Sequence, residues 1–194
     1  FPAAGILVEK IFSMDAAWAF TVAALLWVYL GIQKGQVTQD GLTGLNNRRR
    51  LDQYMWELDE RSGERETCCY LLMDVNKFKK VNDTYGHVTG DEVLRLVAEQ
   101  LKRTFGNMQA FLARYGGDEF VVIVKGKTQD EMDVIIHQTQ ENVNAIAWGA
   151  DTPWQLSISI GCAMRGEQGK QKSHELLELA DERMYRQKKG IQDR

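Results

Sequence analysis

Apolar residues recur along this chain with two alternating periods, and the alternation predicts its elements. Leu51, Tyr54, Met55 and Leu58 fall at helical spacing, which predicts an amphipathic helix over about 47–65. Cys68 to Met73 is a compact apolar run, the mark of a buried strand, and it ends at Asp74. Residues 75–87 are rich in Asn, Lys and Asp and read as a turn. Val93, Leu94, Leu96, Val97 and Leu101 return to the helical period, with Asp91 and Glu92 suited to its first turn. Between about 110 and 125 two apolar runs flank two glycines and two acids, which predicts a β-hairpin. Met132, Ile135, Ile136 and Val143 predict a helix over about 129–147. Leu156, Ile158 and Ile160 alternate with Ser157 and Ser159 as in a half-buried strand, and a last helix covers about 173–188. Helices and strands in this order make an α+β fold, with helices covering a mainly antiparallel sheet.

The beginning of the chain is different. Residues 16–32 carry no charge and one aliphatic hydroxyl, and seventeen helical residues are at the short end of what spans a bilayer. Trp18, Trp27 and Tyr29 suit the interfaces, and Lys34 with Arg48, Arg49 and Arg50 would keep the C-terminal side in the cytoplasm. The same run also suits a buried or dimerising helix of a soluble sensor module. Residues 1–39 are therefore expected to be the end of a membrane or sensor region with a short linker, and residues 40–194 a globular domain.

Composition narrows the chemistry. A net charge of −3 argues against a broad electrostatic grip on nucleic acid. Cys68, Cys69 and Cys162 lack metal-type spacing and lie in apolar strand contexts, so they read as buried free thiols. The hairpin segment Arg114-Tyr115-Gly116-Gly117-Asp118-Glu119-Phe120 places two acids at a tight turn. If that turn adjoins the end of the strand carrying Asp74, carboxylates from separate segments converge. Such a set, with a backbone carbonyl, suits a hard cation that also takes phosphate oxygens. Lys79 could meet a phosphate as a point charge. Asn82 and Asp91 offer the amide and carboxylate that a guanine edge requires, although either residue type is also common in turns and caps.

These pieces together resemble the GGDEF domain, the family of diguanylate cyclases, from about Asp40 to Lys188. The matching segments are Asp40 to Arg49, Met73 to Lys79, Asn82 to Asp91, the hairpin at 114–120, Ser159-Ile160-Gly161, and Ala180-Asp181 with Tyr185 and Lys188. The resemblance implies a five-stranded, mainly antiparallel sheet wrapped by helices, like the palm of nucleotidyl cyclases and polymerases, here preceded by an N-terminal apolar helix. It implies condensation of two GTP into cyclic di-GMP and two pyrophosphates by a two-fold homodimer. Mg²⁺, or Mn²⁺ in its place, would be held by the carboxylates of Asp74, Asp118 and Glu119 and the carbonyl of Val75. Asp118 would be a metal ligand first and a proton acceptor second, because a neighbouring cation favours its ionised form. Asn82 and Asp91 would read guanine, and Phe78 would line the substrate site. Lys79 would act in catalysis and touch substrate, Lys188 would touch the phosphates, and Arg114 would brace the hairpin or the phosphates. The expected location is the cell membrane, with the catalytic domain in the bacterial cytoplasm.

Two departures from the family pattern matter. Asn107-Met108-Gln109-Ala110 stands where many members carry the inhibitory Arg-x-x-Asp product site. Gln192 stands where members usually carry a phosphate-contacting arginine. The intact acids favour an active enzyme. The altered C-terminus leaves room for a degenerate GTP-binding regulator, and a dimerisation module is a third reading.

Overall fold

The computed structural model describes residues 17–28, 38–60, 67–148, 155–165 and 171–192. The chain forms two compact units, Phe1–Val37 and Thr38–Arg194. In the first, helix α1 covers 17–28, and all of its residues are exposed, Trp18, Phe20, Leu25 and Trp27 among them. Twelve helical residues reach about 18 Å, short of a hydrocarbon core of about 30 Å. No described helix is long and apolar enough to cross a membrane. The rest of the expected 16–32 span lies outside the described residues.

The second unit is a five-stranded mixed sheet with helices on both faces. Its elements are β1 (Asn46–Asn47), α2 (Arg48–Glu60), β2 (Cys68–Val75), α3 (Phe78–Tyr85), α4 (His87–Phe105), β3 (Ala110–Gly116), β4 (Glu119–Lys125), α5 (Gln129–Asn144), β5 (Ile158–Met164) and α6 (Ser173–Gln192). The strand order is β1-β3-β4-β2-β5; β1 pairs with β3 in parallel and every other pair is antiparallel.

Both faces of the central strands are covered, which is why β2 reads as an unbroken apolar run rather than an alternation. Leu71, Met73, Phe120 and Val122 meet Val93, Val97 and Leu101 of α4 and Met132 of α5. On the opposite face Tyr70, Leu72, Val121 and Ile123 meet Leu51 and Met55 of α2 and Leu176, Ala180 and Met184 of α6. Cys68, Cys69 and Cys162 are buried free thiols, as expected.

Three elements differ from the sequence reading. The expected turn at 75–87 holds a helix, α3, entered through Lys77 in the left-handed conformation (φ 58°) and closed by Gly86 (φ 84°). Because α4 starts immediately after Gly86, Asp91 and Glu92 fall in its second turn, not its first. The strand expected to be half-buried begins at Ile158 and is buried throughout. Ser159 tolerates burial because its hydroxyl donates to Asn76 Oδ1 at 2.7 Å.

As the outermost strand beside β2, β5 exposes a row of backbone groups that helices satisfy. Ile160 N–H donates to Gln187 Oε1 at 2.6 Å, Arg183 donates to the Cys162 carbonyl at 2.6 Å, and Gln140 donates to the Ile158 carbonyl at 3.2 Å. The edge is thereby closed to other strands. The start of α6 is tied down separately. Arg165 pairs with Asp59 at 2.5 Å, Asp59 accepts from the Ser173 hydroxyl at 2.7 Å, and Ser173 meets the Tyr70 hydroxyl at 2.8 Å. Burial pushes the Tyr70 phenol up to about 12.

Gly161 lets α6 lie directly on β5, since a Cβ there would strike the Ala180 carbonyl and the Met184 amide. Gly161→Ala is expected to cost about 1–3 kcal/mol, the range for forcing extra volume into a packed interface. Urea denaturation reads the loss directly.

Candidate active site

Pairing of β2 with β4 sets Asp74 directly opposite Glu119, and pairing with β5 sets Ser159 on the other side of Asp74. The period of two along β2 puts Asp74 on the face that carries Tyr70 and Leu72, under α6. The hairpin turns at Gly117-Asp118, with Gly117 at φ 48°, a conformation that favours glycine. A register shift between Arg114 and Gly116 adds a residue to β3 just before the turn, a bulge that re-aims the tip. Val75 N–H donates to the Asp118 carbonyl at 3.2 Å, which ties the tip to the end of β2.

Arg114 braces this tip. Its Nε and Nη2 donate to the Gly117 carbonyl at 3.0 and 2.7 Å, and its Nη1 donates to the Asp40 carboxylate at 3.2 Å. Asp40 is held in turn by the Thr43 amide at 2.9 Å and hydroxyl at 2.8 Å. Burial pushes the Asp40 carboxyl up, but the Thr43 bonds and the Arg114 charge outweigh it and hold the group below its ordinary value.

Lys188 reaches from α6 and donates to Asp74 Oδ1 at 2.6 Å. Burial still pushes the Asp74 carboxyl above its ordinary value, and the nearby Asp118 charge adds to the rise. Glu119 is raised as well, by burial first and then by the charges of Asp74, Asp118 and Asp181, with Lys188 opposing. Four carboxylates thus share one field, and Lys188 is the cation that acts on both raised groups. An excess of hard oxygen donors that repel one another is the chemistry a divalent cation relieves. Among the described residues, no three acidic, histidine or cysteine side chains stand together at full metal-ligating spacing. Mg²⁺ does not require such a cage, since it commonly binds one or two carboxylates and takes the rest from phosphates and water. The donor set fits it.

A second group lies on α3 and α4. Gly90 allows the two helices to approach closely, because a Cβ there would collide with Asn82 Oδ1 and crowd the Phe78 ring. Asn82 Oδ1 is buried and finds no hydrogen-bond partner among the described residues. Asp91 follows Gly90 and is exposed. Lys79 is exposed on α3, and no ion pair among the described residues joins it to the acids. The structure therefore brings Asp74, Val75, Asp118, Glu119, Lys188 and Arg114 to one end of the sheet, and sets Phe78, Asn82 and Asp91 together on a helix pair.

Three contributors carry no role in the sequence reading. Asp40 anchors Arg114 across 74 positions of chain, a separation that conceals the pairing. Asp181 acts on Glu119 from α6. Asn76 fixes the end of β2 by donating to the Ser157 hydroxyl at 3.1 Å and accepting from Ser159. The alternating serines were the available signal, but their spacing also fits a solvated strand face.

The family model for the diguanylate cyclase GGDEF domain matches residues 37–194. The chain belongs to the GGDEF family. It is 34% identical over 161 residues to the diguanylate cyclase DosC of Escherichia coli, which covers 79% of this chain and 34% of that protein. It is 28% identical over 189 residues to the diguanylate cyclase DgcP of Pseudomonas aeruginosa, which covers 97% of this chain and 27% of that protein. The chain thus spans about a third or less of these curated relatives. Among solved structures, the coiled coil and GGDEF domain of DgcB from Caulobacter crescentus, in complex with c-di-GMP, is 28% identical with a TM-score of 0.71. That match covers 92% of this chain and 95% of the other.

The brace makes a pH-dependent prediction. Asp40 binds its proton less tightly in the folded chain than in the unfolded one. Its contribution to stability is therefore present above the ordinary carboxyl value and is lost as pH falls through the lower folded value. Asp40→Asn is expected to lower the melting temperature by a few degrees at pH 7, with the gap to the parent closing below about pH 4. Thermal melts across that range measure it.

Proposed function

We propose that this chain is the catalytic portion of a diguanylate cyclase, which condenses two GTP into cyclic di-GMP and releases two pyrophosphates. The observation that carries the reading is the placement of Asp74 opposite Glu119, with Asp118 in the adjoining turn and Lys188 on Asp74. Family membership gives this arrangement its substrate class.

Asp74, Asp118 and Glu119, with the Val75 carbonyl, are the residues that hold Mg²⁺ or Mn²⁺. When bound, the ion neutralises triphosphate charge and lowers the pKa of the attacking 3′-hydroxyl. Asn82 and Asp91 bind guanine, and the unpartnered Asn82 Oδ1 supports this because it awaits a donor. Phe78 packs beside them. Lys79 and Lys188 stabilise charge on the phosphates. Arg114 keeps the hairpin tip in place, a reading supported by its four bonds to Gly117 and Asp40.

In each half-reaction a 3′-oxygen bonds to the α-phosphorus of the other nucleotide and the bond to pyrophosphate breaks. The hydroxyl proton passes to solvent or, as a second role, to Asp118. Two nucleotides on two domains must therefore face one another, so catalysis takes place in a two-fold homodimer. The apolar character of 17–28 supports a membrane anchor at 16–32, which leaves the catalytic domain in the bacterial cytoplasm. Asn107 and Ala110 lack the charges of the Arg-x-x-Asp product site, so the enzyme is not inhibited there.

Incubation with GTP and Mg²⁺ followed by chromatography is expected to yield cyclic di-GMP. Asp118→Ala should lower the yield by about 10²-fold or more, the usual cost of losing a charge-stabilising group. GTP binding without product from a dimeric parent would instead identify a degenerate regulator. Added cyclic di-GMP should slow the parent and an Asn107→Ala variant equally little; inhibition removed by that change would overturn the reading of 107–110.

A further inference from the structure

Lys188 has a position that phosphate binding alone does not explain. Its ammonium is not directed at open solvent but lies on Asp74 Oδ1 at 2.6 Å, with side-chain exposures of 27% for Lys188 and 8% for Asp74. Asp74 is also the acid at the centre of the proposed metal set. An ammonium and a divalent cation cannot both press on one carboxylate without strong mutual repulsion. At Oδ1 the two compete for one position, so a metal taking that oxygen displaces the ammonium.

The backbone of α6 is poorly placed to make that move. Gln187 is bonded to the Ile160 amide, Arg183 is bonded to the Cys162 carbonyl, and the helix lies against Gly161 without room to slide. The lysine side chain, on four flexible carbons, can swing while the helix stays fixed. Its destination is also defined, since a triphosphate bound at the acids offers the nearest new concentration of negative charge.

We propose that Lys188 is an exchangeable counter-ion: it occupies the cation's place at Asp74 in the nucleotide-free protein and transfers to the triphosphate when metal and nucleotide bind together. This rests on the metal–nucleotide reading of the site given above. The exchange couples the two ligands. Metal alone must displace Lys188 with no compensation, whereas metal bound with nucleotide gives Lys188 a new partner. By reciprocity, nucleotide tightens metal binding and metal tightens nucleotide binding. Lys188 is then a positioning residue in the free protein and a substrate contact in the complex.

The test is Mn²⁺ binding to the full chain, followed by electron paramagnetic resonance, for the parent and Lys188→Met. Without nucleotide, Lys188→Met is expected to bind Mn²⁺ about tenfold more tightly, the effect of removing one charged hydrogen bond that competes for Asp74. With a non-hydrolysable GTP analogue the order reverses, and the variant binds Mn²⁺ more weakly than the parent. An equal or weaker affinity of Lys188→Met for Mn²⁺ alone overturns the proposal. Should the parent bind Mn²⁺ with the analogue while the variant shows no gain without it, only the counter-ion role falls. Should neither protein bind Mn²⁺ under either condition, the metal–nucleotide reading falls with it. Lys188→Gln serves as the second variant if methionine disturbs folding. In the parent, the ¹⁵N signal of the Lys188 ammonium should shift on adding analogue with Mg²⁺, and an unchanged signal counts against the exchange.

Discussion

Pairing between β2 and β4 runs through seven consecutive residues, from Cys68 opposite Lys125 to Asp74 opposite Glu119, and the site depends on that register. A slip of one residue would turn Asp74 away from α6 and into the face packed against α4 and α5. There its carboxylate would face the apolar layer beneath α4 and α5, away from Lys188. The register is pinned at this end by the Val75 N–H, which donates to the Asp118 carbonyl in the β3–β4 turn at 3.2 Å. On the other side of β2, Asn76, clamped between Ser157 and Ser159, fixes the register with β5. The apolar pairs between supply cohesion, but both faces of these strands are buried, so hydrophobicity alone discriminates weakly between registers.

This explains which parts were legible in the sequence. Helices α2, α5 and α6 and strands β2, β3 and β4 announce themselves, because burial against a single layer, or complete burial, leaves a clear period or an unbroken run. Helix α3 does not. Among its residues Phe-Lys-Lys-Val-Asn-Asp-Thr-Tyr only Val81 is buried, and the left-handed Lys77 that starts it has no signature distinct from a turn. Strand β1 is two residues long, Asn46 and Asn47, too short for any periodicity, and exists because β3 offers an edge. The acids of the site were legible through the hairpin motif. Their neighbours were not, because Asp40, which braces Arg114, and Asp181, whose charge acts on Glu119, lie far from their partners in the chain, and no local pattern encodes such a pair.

The arrangement at the acids opposes folding. Asp74 and Glu119 both hold their protons more tightly in the folded chain than outside it, so stability from this source is present below the ordinary carboxyl range and is lost as pH rises through the raised values. At neutral pH the native state therefore retains repulsion that the rest of the fold must outweigh. The compensation is spatially separate. It lies in the Arg165–Asp59–Ser173–Tyr70 cluster at the start of α6 and in the bonds that close the β5 edge. Both anchor the helix that carries Lys188.

Acids and cations are distributed accordingly. Aspartate side chains are short, so their oxygens go where the backbone goes, and Asp74 and Asp118 are carried at a strand end and in a braced turn. Lysine side chains are long and flexible, and Lys79 and Lys188 stand on helices α3 and α6 that flank the strand end. A rigid set of negative charge surrounded by reorienting positive charge can accept a cation and an anion together without backbone rearrangement. On the proposed reading the set binds neither well alone, since the cation meets a resident ammonium and the anion meets four carboxylates. On that reading, discrimination in favour of metal-bound nucleotide follows from the charge layout itself.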